Sequence, residues 1–65
     1  MKPPLSPRQR QVLREYIAGR ADKETAERLR LSVRTVRFHF AAAMQKAQAR
    51  TRGQLVAEFI EFEED

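Results

Sequence analysis

Leu31-Ser32-Val33-Arg34-Thr35-Val36-Arg37-Phe38-His39-Phe40 decides the reading of this 65-residue chain. Ser32 suits a helix N-cap, because its hydroxyl accepts from the backbone N–H groups of the next turn. Beyond it, Val33, Val36, Phe40, Ala43, Met44 and Ala47 recur at intervals of three and four, which marks one face of an α-helix. At about 100° per residue, Arg34, Phe38, Ala41 and Gln45 point away from that face. Arg37 falls on one shoulder, and Thr35, His39 and Lys46 fall on the other. Small residues permit close approach to another surface, and arginines present forked donors that suit phosphates and guanine edges. The helix is therefore expected to lie in the major groove of DNA.

The totals narrow the setting. Sixty-five residues make one small domain with a thin core, which usually needs a staple or a partner. There is no cysteine and only one histidine, so neither a disulfide nor a metal site is expected, and oligomerisation is the expected staple. Met1-Lys2-Pro3-Pro4 lacks the apolar run of a signal peptide, and no stretch approaches a membrane span. A cytoplasmic location follows as the expectation. The net charge of +4 conceals a division: residues 58–65 carry five acids and no base, whereas residues 1–57 carry all 13 bases and four acids, a balance of +9. A compact part this basic suits a polyanion, or simply solubility.

Upstream, Met1 to Leu5 reads as a flexible arm stiffened by two prolines. Ser6-Pro7-Arg8-Gln9 is a helix start with proline at the first helical position and a capping box closed by Gln9. Val12, Leu13, Tyr16 and Ile17 follow at helical spacing, and Gly19 supplies the stop, so helix 1 is expected from Pro7 to Ala18. Arg8, Arg10 and Arg14 lie on its polar side. Asp22 is read as the cap of a short helix over Lys23–Leu29, with Ala26 and Leu29 facing inward and Thr25 partly so. A short helix, a tight Arg30-Leu31-Ser32 connection and a second helix make a helix-turn-helix. Ala26 provides the small residue where the two helices cross, and Val36 faces back toward it. The turn has Arg30 where glycine is often found; a positive φ there would cost on the order of 1 kcal/mol.

The central helix is expected to end near Gln48, and Thr51-Arg52-Gly53-Gln54 to open a fourth helix with another capping box. In helix 4, Leu55, Phe59 and Phe62 share one line, with Val56 and Ile60 beside it. This stripe is broader than one small core needs, and the excess reads as a dimer surface formed by Leu55, Val56, Phe59, Ile60 and Phe62. Glu63, Glu64 and Asp65 sit at the negative end of that helix, so residues 63–65 are expected as an acidic tail after a frayed last turn.

The exposed Phe38 suits contact with a thymine methyl; the competing reading is a protein contact. His39 has no nucleophile or acid partner beside it in the pattern, so no catalytic site or cofactor is expected and the chain is not read as an enzyme.

At this point the residues resemble the LuxR/FixJ/GerE-type DNA-binding domain. The resemblance rests on Leu5-Ser6-Pro7-Arg8-Gln9-Arg10-Gln11-Val12-Leu13, Lys23-Glu24 with Ala26, Ser32-Val33-Arg34-Thr35-Val36-Arg37-Phe38-His39, Lys46, and Arg52 ahead of Leu55-Val56-Ala57. It covers about Leu5 to Ile60. It implies an all-α, four-helix helix-turn-helix domain in which helix 3 reads bases and helix 4 joins a two-fold dimer. Most relatives carry this domain behind a sensor or receiver, so this chain resembles a stand-alone member. By the same resemblance, Arg34, Arg37 and Phe38 match base-reading positions, and Thr35, Lys46 and the start of helix 2 at Asp22 and Lys23 match phosphate-touching ones. The departures are Ala42, Ala43 and Ala47 where larger residues are common, Thr25 where an aliphatic one is usual, and Ala41 where a polar one often contacts a base. Uncompensated losses of this kind typically cost about 2–5 kcal/mol each.

Two functions are thus expected to compete. One is a homodimeric transcriptional regulator on double-stranded DNA, binding an inverted repeat. The other is a protein-interaction module or anti-activator that pairs through helix 4 with a full-length LuxR-type regulator; RNA polymerase is a further partner class under either reading.

Overall fold

Local sequence rules set most of the helix boundaries in the computed structural model, which describes the backbone of residues 5–63 and the side chains of residues 5–60. Residues 1–4 of the expected arm, the side chain of Phe62 and residues 64–65 of the expected tail lie outside the described residues, whereas Leu5 packs against the core and the backbone of Glu63 belongs to the last helix. The described backbone forms four helices: α1 (Pro7–Ile17), α2 (Asp22–Leu29), α3 (Val33–Ala47) and α4 (Arg52–Glu63). Helix α1 opens with the expected box: Ser6 Oγ accepts from Gln9 N at 3.1 Å, and Gln9 Oε1 accepts from Ser6 N at 2.9 Å.

Helix α2 starts one residue earlier than expected. Its N-cap is Ala21, whose N–H is taken by Glu24 Oε1 at 3.1 Å. Asp22 is the first helical residue, and its carboxylate is engaged elsewhere. Helix α4 also departs in detail. Thr51 Oγ1 accepts from Gln54 N at 3.0 Å, but Gln54 Oε1 reaches past Thr51 to the N–H of Arg50 at 2.9 Å. The reciprocal half of the box is displaced by one residue.

Three helix ends share one closure. Arg20 N bonds Glu15 O, Leu31 N bonds Ala26 O, and Ala49 N bonds Met44 O, each reaching back five residues. Such a closure needs a left-handed residue just past the helix. Gly19 supplies it at φ 91, but Arg30 (φ 58) and Gln48 (φ 55) adopt the same region with a side chain attached. The cost expected at Arg30, about 1 kcal/mol or somewhat more, is therefore incurred twice.

Helix α3 is the hub: it packs against α1, α2 and α4, and α4 meets the rest of the domain chiefly through it. Val36, Phe40, Ala43 and Ala47 of α3 are buried with Val12 and Leu13 of α1, Ala26 of α2, and Leu55 and Phe59 of α4. The stripe read from α3 is thus the stripe that is buried. Thr25 is more than partly inward, at 1% exposure. Met44 and Val33 pack on the edge of this core.

The broad stripe of α4 divides differently from the expectation. Leu55 (1% exposed) and Phe59 (7%) are taken up by the chain's own core. In the single chain these two side chains pack into the core that α3 centres. Among the described side chains of α4, Val56 packs half-buried on the edge of the core, and Ile60, 43% exposed, faces solvent with Ala57.

Candidate nucleic-acid interface

The side of α3 opposite the core carries Arg34, Phe38, Ala41 and Gln45, all exposed, as the helical spacing requires. Phe38 is 67% exposed, and its ring meets the His39 ring edge-on at 6.0 Å. A phenylalanine so placed leaves apolar surface in water that an incoming partner would cover. Arg34 has no hydrogen bond or ion pair among the described residues. Its guanidinium keeps all five donors for an outside acceptor.

The start of α3 is held by Ser32, whose Oγ accepts from Thr35 N at 3.0 Å and donates to Thr35 Oγ1 at 2.9 Å. Thr35 therefore retains its own hydroxyl proton. Lys23 and Arg37 come together on one open concavity to which all four helices contribute, also lined by Tyr16, Arg20, Asp22 and Arg52. Four cationic side chains surround one carboxylate there, which favours an anion.

Asp22 organises that cluster. Arg52 clasps it with both ends of the guanidinium, Nη1 to Oδ1 and Nη2 to Oδ2, each at 2.9 Å. Arg37 Nε lies 3.5 Å from the same Oδ2. The Arg52 fork holds the Asp22 carboxyl below its ordinary value; partial burial opposes this, and the nearby Arg37 adds to it. The Arg52 guanidinium also lies over the Phe40 ring, 3.8 Å from its centre, with Tyr16 at 5.3 Å. Tyr16 and Phe40 meet edge to face.

Lys46 stands apart from this group. Its Nζ donates to Gln9 Oε1 at 3.2 Å, tying the far end of α3 to the start of α1. Twelve residues separate Arg34 from Lys46, about 18 Å along the helix at 1.5 Å per residue. That span exceeds the ~12 Å width of the major groove, so the two ends can face opposite rims. The ammonium has two further protons for a phosphate.

The residues that sequence reasoning passed over are Asp22 and Arg52 as a pair, and Gln9 as the seat of Lys46. The one available signal was an acid opening α2 beside so many bases.

A buried-backed helix offering arginines and an aromatic outward, preceded by a short helix and a tight turn, defines a helix-turn-helix DNA-binding protein. The family profile described as bacterial regulatory proteins, luxR family (GerE) matches residues 3–59. The chain is also 39% identical over 59 residues to the spore germination protein GerE of Bacillus subtilis (strain 168), spanning 91% of this chain and 80% of that protein. The chain belongs to the LuxR family of bacterial regulatory proteins, which are DNA-binding transcription regulators rather than enzymes. No helix among the described residues is long and apolar enough to cross a membrane.

Proposed function

We propose that the protein is a sequence-specific transcriptional regulator that acts in the cytoplasm as a homodimer on an inverted repeat. Helix α3 enters the major groove; Arg34, Arg37 and Phe38 meet base edges, and Lys23, Thr35 and Lys46 meet phosphates. The observation that carries this reading is the outward ridge of α3. Arg34 and Phe38 are exposed, and Arg37, whose side chain is 68% exposed, keeps both Nη groups without a partner among the described residues. Two-fold pairing through the solvent side of α4, at Val56 and Ile60, would set half-sites about one helical turn apart.

The test is selection of bound duplexes from a random pool, with mass measurement of the free and bound protein. A palindromic consensus and two copies per duplex are expected. Arg37→Ala should weaken the selected duplex by about 1–3 kcal/mol and a random duplex much less. Equal losses on both would remove Arg37 from base reading, and a consensus without symmetry would remove the dimer. All affinities need comparison at one salt concentration, because phosphate contacts make them salt-dependent.

A further inference from the structure

We infer that Arg52, on α4 and outside the reading helix, is a positioning residue for DNA recognition: through Asp22 it sets the direction of Arg37. This rests on the proposed reading role of α3.

The geometry is a relay of fixed groups. Arg52 is only 29% exposed, lies against the faces of Phe40 and Tyr16, and engages both carboxylate oxygens of Asp22. A guanidinium held by stacking and by a planar fork has little rotational freedom. The carboxylate it grips is therefore fixed as well, and one of its oxygens faces Arg37 Nε at 3.5 Å. Engaged by Nε alone, Arg37 is biased toward one direction while its Nη pair stays open.

Charge supplies a second consequence. Asp22 sits at the start of α2, on the concavity that would receive a phosphate. An unpaired carboxylate there would repel the duplex and draw Arg37 onto itself. With the fork in place, the Asp22 charge is neutralised by a group that never needs to leave, and Arg37 is only loosely held. Lysine cannot substitute, because a point charge does not hold both oxygens in one plane.

The experiment measures Arg52→Lys, Arg37→Ala and the double variant in the full chain, on the selected duplex and on a random duplex of equal length. Circular dichroism and thermal melting establish that each variant folds. Arg52→Lys should weaken the selected duplex roughly five- to tenfold in the unaltered background and less than about twofold beside Arg37→Ala, a coupling within the range of contacting residues. Random-duplex affinity should barely move.

Asp22→Asn guards against a folding defect in Arg52→Lys. It removes the anchor and leaves the Arg52 charge uncompensated, so it should tighten the random duplex while lowering the selected-to-random ratio. Additive losses from Arg52→Lys and Arg37→Ala, or an Asp22→Asn variant with an unchanged ratio, would overturn the positioning role alone. Failure of Arg37→Ala to affect the selected duplex, or no DNA binding by the unaltered chain, would overturn the reading role and this inference with it.

Discussion

Leu55→Ala and Ile60→Ala, five residues apart on α4, separate what that helix does inside the chain from what it does outside. Leu55 is 1% exposed, and Ile60 is 43% exposed. Truncating a buried leucine costs about 2–5 kcal/mol, more when the cavity cannot collapse. Among the described residues, three of the nine buried apolar ones are alanines (Ala26, Ala43, Ala47), whose side chains have no length with which to fill a void. The upper half of that range, roughly 3–5 kcal/mol, is therefore expected for Leu55→Ala. At roughly 0.05–0.15 kcal/mol per residue, a domain this size has a total stability of about 3–10 kcal/mol. The substitution should leave the domain barely folded. Ile60→Ala should cost the single chain less than about 1 kcal/mol, as exposed positions usually do.

Urea unfolding followed by helical circular dichroism, at two protein concentrations tenfold apart, reads both effects. The Leu55→Ala loss should be the same at both concentrations. Ile60→Ala should show its larger effect where association contributes, because only coupled assembly makes the midpoint depend on concentration. A Leu55→Ala loss under about 1 kcal/mol, or one that appears only at the higher concentration, would refute the assignment of that line of α4 to the chain's own core.

Two further sets of predictions concern the backbone and the Asp22 clasp. Gly19→Ala should destabilise by about 1 kcal/mol or more in thermal melting, since the position has φ 91 and space for a Cβ does not relieve a left-handed backbone. Gly53→Ala should stabilise by about 0.4–1 kcal/mol, because an added Cβ meets only Thr51 Oγ1 at 3.8 Å and the φ is ordinary. The Asp22 carboxyl is held below its ordinary value of 3.8, chiefly by the Arg52 fork. Its contribution is full above that value and lost as pH falls through the lower folded value. The melting temperature of the unaltered chain should therefore drop toward that of Asp22→Asn as pH is taken below about 4; a gap that stays constant with pH would count against the clasp.

What the sequence made legible was local. The Ser6–Gln9 box, the Ser32 cap and the three-four spacing of α3 are all decided within one or two turns, and each is found where the residues place it. Arg30 was recognisable as a departure because the turn geometry requires a left-handed residue whatever side chain is present. The Asp22–Arg52 pair spans 30 residues and Lys46–Gln9 spans 37, so neither follows from periodicity. Choosing one partner for Asp22 among 13 bases requires the packing angle of α4 on α3. The same angle decides which side of the broad α4 stripe is core. Spacing alone counts its apolar residues without dividing them between the inside and the outside.

The distribution of bulk along α3 bears on how it could read a sequence. Its first half is anchored by Val36 and Phe40, with Arg52 and Tyr16 closing over the Phe40 ring. Its second half is backed at the fully buried positions by Ala43 and Ala47. A phenylalanine buries on the order of 150–250 Å², and an alanine far less, so the two halves are gripped with unequal strength. The exposed arginines and Phe38 all project from the strongly gripped half. The weaker half has the Lys46–Gln9 bond, which crosses to α1 where the buried residues of α3 are alanines. The alanines thus fall where Arg34, Arg37 and Phe38 do not depend on them, and the guanidiniums keep a rigid base even though the core is thin.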